Sequence, residues 1–255
     1  MSVLNYTQKF QLGNGKFVYV QEGKCRDNGQ KLIQWCLRRW KPPGHYFHYQ
    51  DGGHVAAIKI HLKSQYFARA DLERFFWHVT RNKVVRALKR IGVRYSDAYE
   101  YAVNATVADK GRYFLPFGFV ESPYLATICL DKSKLGLAFR ELMGKGIKLS
   151  VYVDDVILSG DDRAELEEAL ELIGRVGSEV GFPLNATKVQ RAGPEVSAFN
   201  IEAGTGRMAV TDHRMREFEA AVLEAGDGPR SRAIIAYVST VNRDQSEALA
   251  ELIGV

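Results

Sequence analysis

Cysteine and long apolar runs are both scarce in this sequence, and each scarcity excludes a class of protein. The 255 residues include only three cysteines, far apart at Cys25, Cys36 and Cys129. An odd, widely spaced set indicates neither a disulfide framework nor a thiolate zinc site. No apolar run approaches the roughly 20 residues that a transmembrane helix needs, and the first residues lack the charged-then-apolar pattern of a signal peptide. We therefore expect a cytoplasmic protein without a membrane partner.

Repeats, low-complexity tracts and disordered linkers are absent as well, which argues against a repeat array or a tail-like chain. Hydrophobic residues make up 46% of the sequence and aromatic residues 11%. A chain of 255 residues with this composition can bury a sizeable core, as one domain or as a tightly packed cluster of subdomains.

Charge is distributed unevenly along the chain. Residues 1–150 contain 25 Lys and Arg against 11 Asp and Glu, a net charge of +14, whereas residues 151–255 contain 10 against 19, a net charge of −9. A basic portion of this size suits a polyanionic partner, because each phosphate that Lys or Arg neutralises releases condensed counterions. Nucleic acid is the obvious candidate, and a solvated basic face without a partner is the alternative.

The stretch from Lys148 to Gly160 is the most informative feature of the sequence. It places Asp154 and Asp155 side by side between two short apolar, β-branched runs, a pattern that predicts a hairpin. Adjacent aspartates repel each other in a partly buried setting, and a two-residue hairpin turn ordinarily takes Asn-Gly or Asp-Gly. A bound cation would offset that cost, so the pattern favours a metal-holding hairpin. Taken alone, it also fits an acidic surface turn.

A third carboxylate comes earlier in the chain, where a predicted strand over residues 65–70 leads directly into Asp71. Nucleotidyl transfer needs two divalent ions roughly 3.5–4 Å apart, held by hard oxygen ligands. Two Mg²⁺ ions suit this role, with Mn²⁺ as the alternative. Asp71, Asp154 and Asp155 would form such a site if the fold brings them together, which their spacing leaves open.

The remaining segments give a coarse outline of the secondary structure. Alternation predicts a strand over residues 16–22, and a polar, glycine-bounded turn over 23–29 would form the tip of a hairpin. Residues 55–62 fit a strand and a helix equally well. Two further short strands are predicted at residues 196–202 and 208–210. Apolar spacing predicts helices over six segments: 30–40, 75–88, 124–142, 162–180, 211–225 and 231–253. The last of these is expected to be interrupted around Asn242. The helix over 162–180 carries an apolar stripe: Leu166, Ala169, Leu170, Ile173, Val176 and Val180.

Four blocks of the sequence resemble the palm of reverse transcriptases, in the order of that family. The segment from Ala70 to Phe76 resembles the first metal-binding motif, and the segment from Leu115 to Pro123 resembles the template and nucleotide loop. Tyr152-Val153-Asp154-Asp155 resembles the catalytic hairpin, and residues 181–188 resemble the motif that follows it. Order and separation together make the resemblance far more specific than the hairpin alone.

The resemblance implies roles for individual residues. Asp71, Asp154 and Asp155 would be the metal ligands, and Lys188 would protonate the leaving pyrophosphate, unless it is a solvated loop lysine. Phe76 would block a ribose 2′-hydroxyl and so favour deoxynucleotides, whereas a plain core aromatic is its alternative role.

The other implied roles concern substrate binding. Lys24, Arg26 and Lys31, on the hairpin that resembles the fingers, are candidates for gripping the incoming triphosphate, or are surface charges of little consequence. Phe117 and Gly118 of the loop would also contact the nucleotide. The residues assigned to template and primer are Ser122, Pro123 and Tyr152.

We therefore predict an α+β right-hand polymerase with fingers, an antiparallel-sheet palm and a small helical thumb. The fingers are expected over residues 1–65 and 79–113. The palm is expected over 66–198, interrupted by that second fingers segment, and the thumb over 199–255.

The sequence looks closest to the reverse transcriptases of bacterial retrons and related antiphage defence systems. This resemblance implies RNA-templated DNA synthesis from deoxynucleotides, with a dedicated non-coding RNA as a candidate template, a DNA product, and protein partners in a defence complex. Two alternatives remain at this point. One is an RNA-dependent RNA polymerase, against which Phe76 speaks, and the other is a noncatalytic nucleic-acid-binding scaffold.

Overall fold

A computed structural model describes residues 5–13 and 16–254. The ends of the predicted fingers and thumb segments, residues 1–4 and 255, and the pair 14–15 lie outside the described residues. The chain forms two compact units. Unit 1 comprises Met1–Tyr46, Leu72–Glu141 and Leu172–Asn185. Unit 2 comprises Phe47–Asp71, Leu142–Glu171 and Ala186–Val255.

Unit 1 is mainly helical and carries two small antiparallel hairpins. Its core includes a cluster in which Tyr19, Val107, Phe114 and Phe119 are buried together. Its elements are β1 (Tyr6–Gln11), β2 (Phe17–Gln21), α1 (Gly23–Leu37), α3 (Phe75–His78), α4 (Arg81–Arg90), α5 (Tyr95–Ala105), β4 (Val107–Asp109), β5 (Arg112–Phe114), α6 (Ser122–Asp131) and most of α7 (Lys134–Gly144).

Unit 2 is built on a four-stranded antiparallel sheet and a three-stranded antiparallel sheet, followed by three helices. A short 3₁₀ turn at Phe47–Tyr49 precedes the first helix. The elements of the unit are α2 (Gly53–Lys59), β3 (Tyr66–Asp71), β6 (Lys148–Tyr152), β7 (Asp155–Gly160), the first half of α8 (Arg163–Glu179), β8 (Gln190–Gly193), β9 (Glu195–Ala198), β10 (Ile201–Gly204), β11 (Arg207–Val210), α9 (Asp212–Ala225), α10 (Pro229–Val241) and α11 (Arg243–Glu251).

The four-stranded sheet has the strand order β6-β7-β3-β8, so β3 and β7 lie at its centre. Both central strands are short and rich in buried apolar residues, as expected for strands covered on both faces. β7 pairs with β3 from Tyr66 opposite Gly160 to Asp71 opposite Asp155. The pairing therefore ends with two carboxylates in register.

The three-stranded sheet, ordered β11-β10-β9, and the terminal helices share one core with the larger sheet. Phe67 and Ile157 from the larger sheet pack with apolar residues of β9, β10 and β11 and of the three helices. Asn242 separates α10 from α11 and caps the second helix, since its side chain accepts a hydrogen bond from the Gln245 amide at 3.0 Å. The break predicted near this asparagine is confirmed.

The predicted turn over residues 23–29 is wrong, because this segment is the first half of helix α1. The Glu22 side chain accepts a hydrogen bond from the Cys25 amide at 3.0 Å and so starts the helix. Gly29, read as a turn signal, lies buried within the helix. A Cβ at Gly29 would collide with the Glu121 carboxylate, so this glycine serves close packing.

Three further predictions change in detail. Residues 55–59 of the ambiguous segment belong to helix α2. The single helix predicted over 124–142 is two helices, because Ser133 Oγ accepts hydrogen bonds from the amides of Leu135 and Gly136 and restarts the helix. The strand predicted over 196–202 is two strands joined at Phe199 and Asn200, both in the left-handed region with φ of 57° and 61°.

The helix predicted over 75–88 is also two helices, α3 and α4, and the Thr80 hydroxyl caps the second by accepting a hydrogen bond from the Lys83 amide. Two other local features follow the sequence prediction. Strand β3 ends at Asp71, and α8 buries Leu166, Ala169, Leu170 and Ile173, the predicted apolar stripe. Among the described residues, no helix combines the length and the apolar character that crossing a membrane requires.

Candidate active site

The two central strands of the larger sheet carry the candidate site at their paired ends. Asp71 is the last residue of β3, Asp155 is the first of β7, and the two lie directly opposite each other. Directly opposed residues on one face of an antiparallel pair have Cβ atoms about 4.5–5.5 Å apart. Two of the three predicted metal ligands are therefore neighbours through strand register alone.

The hairpin turn itself consists of Val153 and Asp154, because β6 ends at Tyr152 and pairs there with Asp155. The expectation that both aspartates form the turn is thus corrected: Asp155 already belongs to the ladder. Val153 has φ of 58°, a region in which a β-branched residue is a genuine outlier. Such conformations cost on the order of 1–3 kcal/mol and are typical of functional sites.

His48 holds the strained turn. Its Nδ1 accepts a hydrogen bond from the Val153 amide at 3.1 Å, and its ring stands edge-on to Tyr152 with centroids 5.9 Å apart. Burial lowers the pKa of His48 to about 4, with a hydrogen bond to the Val151 backbone acting in the opposite direction. The imidazole is therefore neutral near pH 7, as an accepting Nδ1 requires.

Asp71 is almost fully buried and forms an ion pair with Lys188. Lys188 Nζ donates to Asp71 Oδ2 at 2.8 Å, while about half of the lysine side chain remains exposed. The structure thus brings together two residues that lie 117 positions apart in the sequence. Because the lysine is the more exposed partner, it can leave Asp71 without exposing the core.

Asp155 has a cationic partner that the sequence analysis missed. Arg69 Nε and Nη2 both donate to Asp155 Oδ1, at 2.9 Å and 2.6 Å, and its Nη1 donates to the Ser197 carbonyl oxygen at 2.8 Å. Both bonds to the carboxylate end on the same oxygen and do not use Oδ2. Arg69 therefore orients Asp155 against β9 and keeps one carboxylate oxygen out of the ion pair.

The pKa of Asp155 is raised above its ordinary value, chiefly by burial. The Arg69 guanidinium opposes this rise, and the Asp71 carboxylate adds to it. Even with Arg69 and Lys188 nearby, the ionised form of Asp155 is less favoured than that of an exposed aspartate. A site of this kind gains from an additional cation.

The charges of all three aspartates affect the pKa of Lys188. Its pKa is raised first by the hydrogen bond to Asp71, against the effect of burial, and further by the charges of Asp71, Asp154 and Asp155. The three carboxylates therefore act on one ammonium position. Their oxygens are the ligands that Mg²⁺ prefers, so the donor set fits a divalent ion in place of the lysine. In this structure Lys188 pairs with Asp71 and Arg69 pairs with Asp155. Among the described residues, no group of three His, Cys, Asp or Glu side chains is arranged to hold a metal ion.

Tyr152, predicted to contact template or primer, lines an open groove of about 1210 Å³ in unit 2. Its ring lies 5.2 Å from that of Phe199, edge to face. His54 lines the same groove, with Nε2 3.1 Å from the Tyr237 hydroxyl. Arg214 and Arg230 belong to the lining as well, where each forms an ion pair with a lining glutamate, Glu217 or Glu224. The exposed aromatic faces suit stacking on unpaired bases.

Phe76 and Phe117, two predicted nucleotide contacts, touch each other in unit 1. Their rings meet edge to face with centroids 4.8 Å apart, and Phe76 also stacks on Phe75. Phe76 is mostly buried, at 7% exposure, while Lys16 Nζ lies 5.3 Å from the centre of the Phe117 ring. The structure therefore adds Lys16 to the residues around this loop.

Gly118 has φ of +102°, a conformation available mainly to glycine. A Cβ at this position would collide with the Tyr19 carbonyl oxygen, and the Tyr19 amide donates to the Phe117 carbonyl oxygen at 2.9 Å. The loop is thus fastened along β2, and the glycine is required both by backbone conformation and by close approach.

The basic candidates Lys24, Arg26 and Lys31 are exposed on helix α1 and not at a hairpin tip, which corrects the expected location. At 100° per residue, Lys24 and Lys31 share one face of the helix, and Arg26 points to the opposite face. These three side chains cannot act as one cluster. Lys24 and Lys31 form a pair, and Lys31 lines a smaller cavity of about 320 Å³.

Ser122 and Pro123 open helix α6, and the structure places Ser122 inside the protein at 1% exposure. The adjoining Glu121 is also buried, and it accepts hydrogen bonds from Gln21 Nε2 at 3.0 Å and 2.9 Å on its two oxygens. Burial raises the pKa of Glu121. The Ser122 segment is therefore anchored from within, and its link to template or primer stays a prediction.

Sequence reasoning missed Arg69 and His48. Arg69 had a usable signal, because it stands two positions before Asp71 in a strand and so must share its face. His48 had no such signal, since its hydrogen bond joins segments 105 positions apart.

Comparison with known proteins identifies the family to which this chain is similar. The sequence profile of the family described as reverse transcriptase (RNA-dependent DNA polymerase) matches residues 27–221, well over half of the chain. This chain belongs to that family. The predicted family assignment is confirmed.

Curated members of the reverse transcriptase family that resemble this chain come from retrons. The chain is 28% identical to the retron Mx65 reverse transcriptase of Myxococcus xanthus over 215 residues, covering 74% of this chain and 49% of that protein. It is 28% identical to the retron Ec86 reverse transcriptase of Escherichia coli, covering 52% of this chain and 40% of that protein. The chain thus spans about half the length, or less, of these relatives.

Solved structures show the same fold. A foamy viral protease-reverse transcriptase in complex with double-stranded DNA matches 100% of this chain and 44% of its own, with a TM-score of 0.55 and 16% identity. Telomerase from Candida albicans matches 89% of this chain and 47% of its own, with a TM-score of 0.54 and 9% identity. The prediction of an α+β right-hand polymerase fold is confirmed by these similarities.

Proposed function

We propose that this protein carries out RNA-templated DNA synthesis by nucleotidyl transfer, in a system similar to the retrons. One observation carries the proposal: strand register sets Asp71 directly opposite Asp155, with Asp154 in the adjoining turn. Membership of the reverse transcriptase family supports the reaction. The retron relatives support the biological setting.

Members of this family generally use divalent metal ions, and we assign two Mg²⁺ ions to Asp71, Asp154 and Asp155, with Mn²⁺ as the alternative. When bound, the ions lower the pKa of the primer hydroxyl and stabilise negative charge on the leaving pyrophosphate. The register that sets Asp71 opposite Asp155, and the combined charge of the three aspartates that raises the pKa of Lys188, support this assignment.

The residues of the chain contribute position and charge. Arg69 fixes Oδ1 of Asp155 and leaves Oδ2 outside the ion pair. Lys188 has a raised pKa and stays protonated near pH 7, so it can deliver a proton to the departing pyrophosphate once it has left Asp71. Positioning of this kind supplies most of the rate in phosphoryl transfer.

Substrate selection is assigned to unit 1. Phe76 would exclude a ribose 2′-hydroxyl, and Phe117 and Gly118 would contact the nucleotide. Lys24 and Lys31 would be better candidates than Arg26 for a shared triphosphate contact, because the two lysines lie on one helix face. The contact between Phe76 and Phe117 supports a rigid ring at the gate position.

The last part of the proposal concerns the residues that bind template and primer, and the biological system in which the protein acts. Tyr152, with Ser122 and Pro123, is assigned to template and primer, since Tyr152 borders a groove with aromatic faces. We keep the proposed fingers, palm and thumb boundaries, a dedicated non-coding RNA as template, a DNA product, protein partners in phage defence and a cytoplasmic location.

The decisive experiment measures incorporation of labelled deoxynucleotides by the purified protein on an RNA template with an annealed DNA primer. Parallel reactions use ribonucleotides, and Asp71→Asn and Asp155→Asn are tested beside the unchanged protein. Asp161→Asn is the matched control, because Asp161 follows the opposite end of β7 and accepts a hydrogen bond from the Gln65 amide on the surface.

We expect deoxynucleotide incorporation that requires Mg²⁺ or Mn²⁺, disappears in both site variants and persists in the control. Incorporation of ribonucleotides at a comparable rate would replace the proposal with an RNA polymerase. Binding of the template–primer without any synthesis would indicate a noncatalytic scaffold.

A further inference from the structure

The turn that carries Asp154 is restrained by a residue that lies outside strands β6 and β7. Val153 is the first residue of the turn, and its amide donates to His48 Nδ1 at 3.1 Å. The β6–β7 ladder pairs Tyr152 with Asp155 and leaves the Val153 amide unused. The imidazole is therefore the group that binds this donor.

His48 also meets the strand before the turn. The ring of His48 stands edge-on to Tyr152, the last residue of β6, with centroids 5.9 Å apart. β6 is an edge strand of the sheet, so the backbone groups of alternate residues on its outer side have no ladder partner. His48 lies at this edge beside the turn, and the 3₁₀ turn at Phe47–Tyr49 delivers it there.

The backbone at Val153 needs such a restraint. A valine with φ of 58° is strained, and strained residues persist only when surrounding contacts fix them. Without an external bond, the turn would relax toward a conformation that valine prefers, and the Asp154 carboxylate would move with it. A displacement of about 1 Å at a reacting centre can lower a rate by about 10²-fold.

We propose that His48 is a positioning residue, which fixes the strained Val153 turn and thereby holds the Asp154 carboxylate in its productive place. The inference rests on the proposed polymerase function for its effect on rate. The hydrogen bond itself can be tested without activity.

Two substitutions separate the hydrogen bond from the bulk of the ring. His48→Asn keeps an acceptor at the δ position, whereas His48→Leu keeps apolar volume and has no acceptor. His54→Leu is the matched control, because His54 stands 5.9 Å from the Tyr152 ring at the same 80° angle as His48 but bonds to Tyr237 and not to the turn.

The first readout is amide hydrogen exchange at Val153 in the full chain. Loss of one hydrogen bond should speed exchange by about fivefold to tenfold in His48→Leu. We expect His48→Asn and His54→Leu to stay within about twofold of the unchanged protein, since neither removes the acceptor. Unchanged exchange in His48→Leu would overturn the proposal.

The second readout is steady-state deoxynucleotide incorporation on a fixed template–primer. We expect kcat to fall by about tenfold to a hundredfold in His48→Leu, with little change in KM for the deoxynucleotide or in Kd for the template–primer, and recovery in His48→Asn. Faster exchange with unchanged kcat would overturn the positioning role. No incorporation by the unchanged protein would instead refute the proposed polymerase function, and the exchange result would still decide whether His48 restrains the turn.

Discussion

Lys188 donates a 2.8 Å hydrogen bond from Nζ to Asp71 Oδ2. An ammonium group is therefore bound to the carboxylate that would have to bind a divalent ion during the reaction. The lysine is half exposed and the aspartate is buried. An exchange between the two cations would therefore move the lysine and leave Asp71 in place. The ion pair gives Lys188 two separable roles, as a competitor for metal and as a proton donor.

Replacing Lys188 should separate these roles. In Lys188→Gln we expect half-saturation at a lower Mg²⁺ concentration, because the competing charge is gone, and a kcat reduced by about 10²-fold or more, because the proton donor is gone. Titration of incorporation against Mg²⁺ measures both quantities. Lys145→Gln, at an exposed site between α7 and β6, serves as the control, and a kcat equal to that of the unchanged protein would exclude proton donation by Lys188.

The ionised side chain of Asp155 should lower the free energy of unfolding at neutral pH. Its folded-state pKa lies above the unfolded value, mainly because of burial, so the folded state prefers the protonated form. The cost of the ionised form is fully present above the folded pKa and disappears below the unfolded pKa. We expect Asp155→Asn to unfold at a higher temperature near pH 7, with a difference from the unchanged protein that shrinks below pH 4. Asn retains an oxygen for Arg69, and lower stability of the variant at pH 7 would contradict this account.

Buried histidines should make the fold sensitive to acid. His61 bonds to Ser159 through Nδ1 at 2.7 Å and to Ser150 through Nε2 at 2.9 Å, and burial lowers its pKa to about 3. Because the folded pKa is depressed, stability is present above the unfolded value near 6.5 and is lost as pH falls toward 3.

Substitution of His61 tests this acid sensitivity. Each such histidine contributes at most about 1.4 kcal/mol per pH unit to the slope of unfolding free energy. We expect His61→Asn to reduce the slope between pH 6 and pH 4 by about this amount, whatever its effect on stability at pH 7. Urea unfolding at several pH values measures the slope, with exposed His213 on α9 substituted in the control.

Gly118 should tolerate no side chain. Gly118→Ala would place a non-glycine residue at φ of +102° and push a Cβ into the Tyr19 carbonyl oxygen. Gly92→Ala is the matched control, since Gly92 has φ of +87° but open space around its Cβ position. We expect Gly92→Ala to cost about 1 kcal/mol of unfolding free energy and Gly118→Ala at least twice as much. Equal costs would show that the contact with Tyr19 is unimportant.

Phe76 should control the choice of sugar. We expect Phe76→Val to raise the ratio of ribonucleotide to deoxynucleotide incorporation by about tenfold to a hundredfold, as for the loss of a steric contact in a binding pocket. Phe75→Val is the control, because Phe75 lies beside Phe76 in α3, packs on Phe182 and should lose comparable packing. A ratio altered equally in both variants would make Phe76 an ordinary core residue.

Local pattern was sufficient for most of the fold. The apolar stripe of α8, the strand that ends at Asp71 and the break near Asn242 were all predicted, because each depends on residues close together in the sequence. Local pattern misled at residues 23–29, where glycines suggested a turn. There the Glu22 cap and the packing of Gly29 against Glu121 outweigh the intrinsic preference of glycine.

By itself, the sequence determined the family, because four motifs in a fixed order identify it, and it determined that Asp71, Asp154 and Asp155 are the candidate metal ligands. Tertiary structure alone decided what those carboxylates touch. Strand register set Asp155 opposite Asp71, and contacts across 86, 105 and 117 positions brought Arg69 to Asp155, His48 to Val153 and Lys188 to Asp71. Strand alternation could place Arg69 on the face of Asp71, but no periodic pattern pairs residues so distant in sequence, because only the packing of the folded chain brings them within hydrogen-bonding distance.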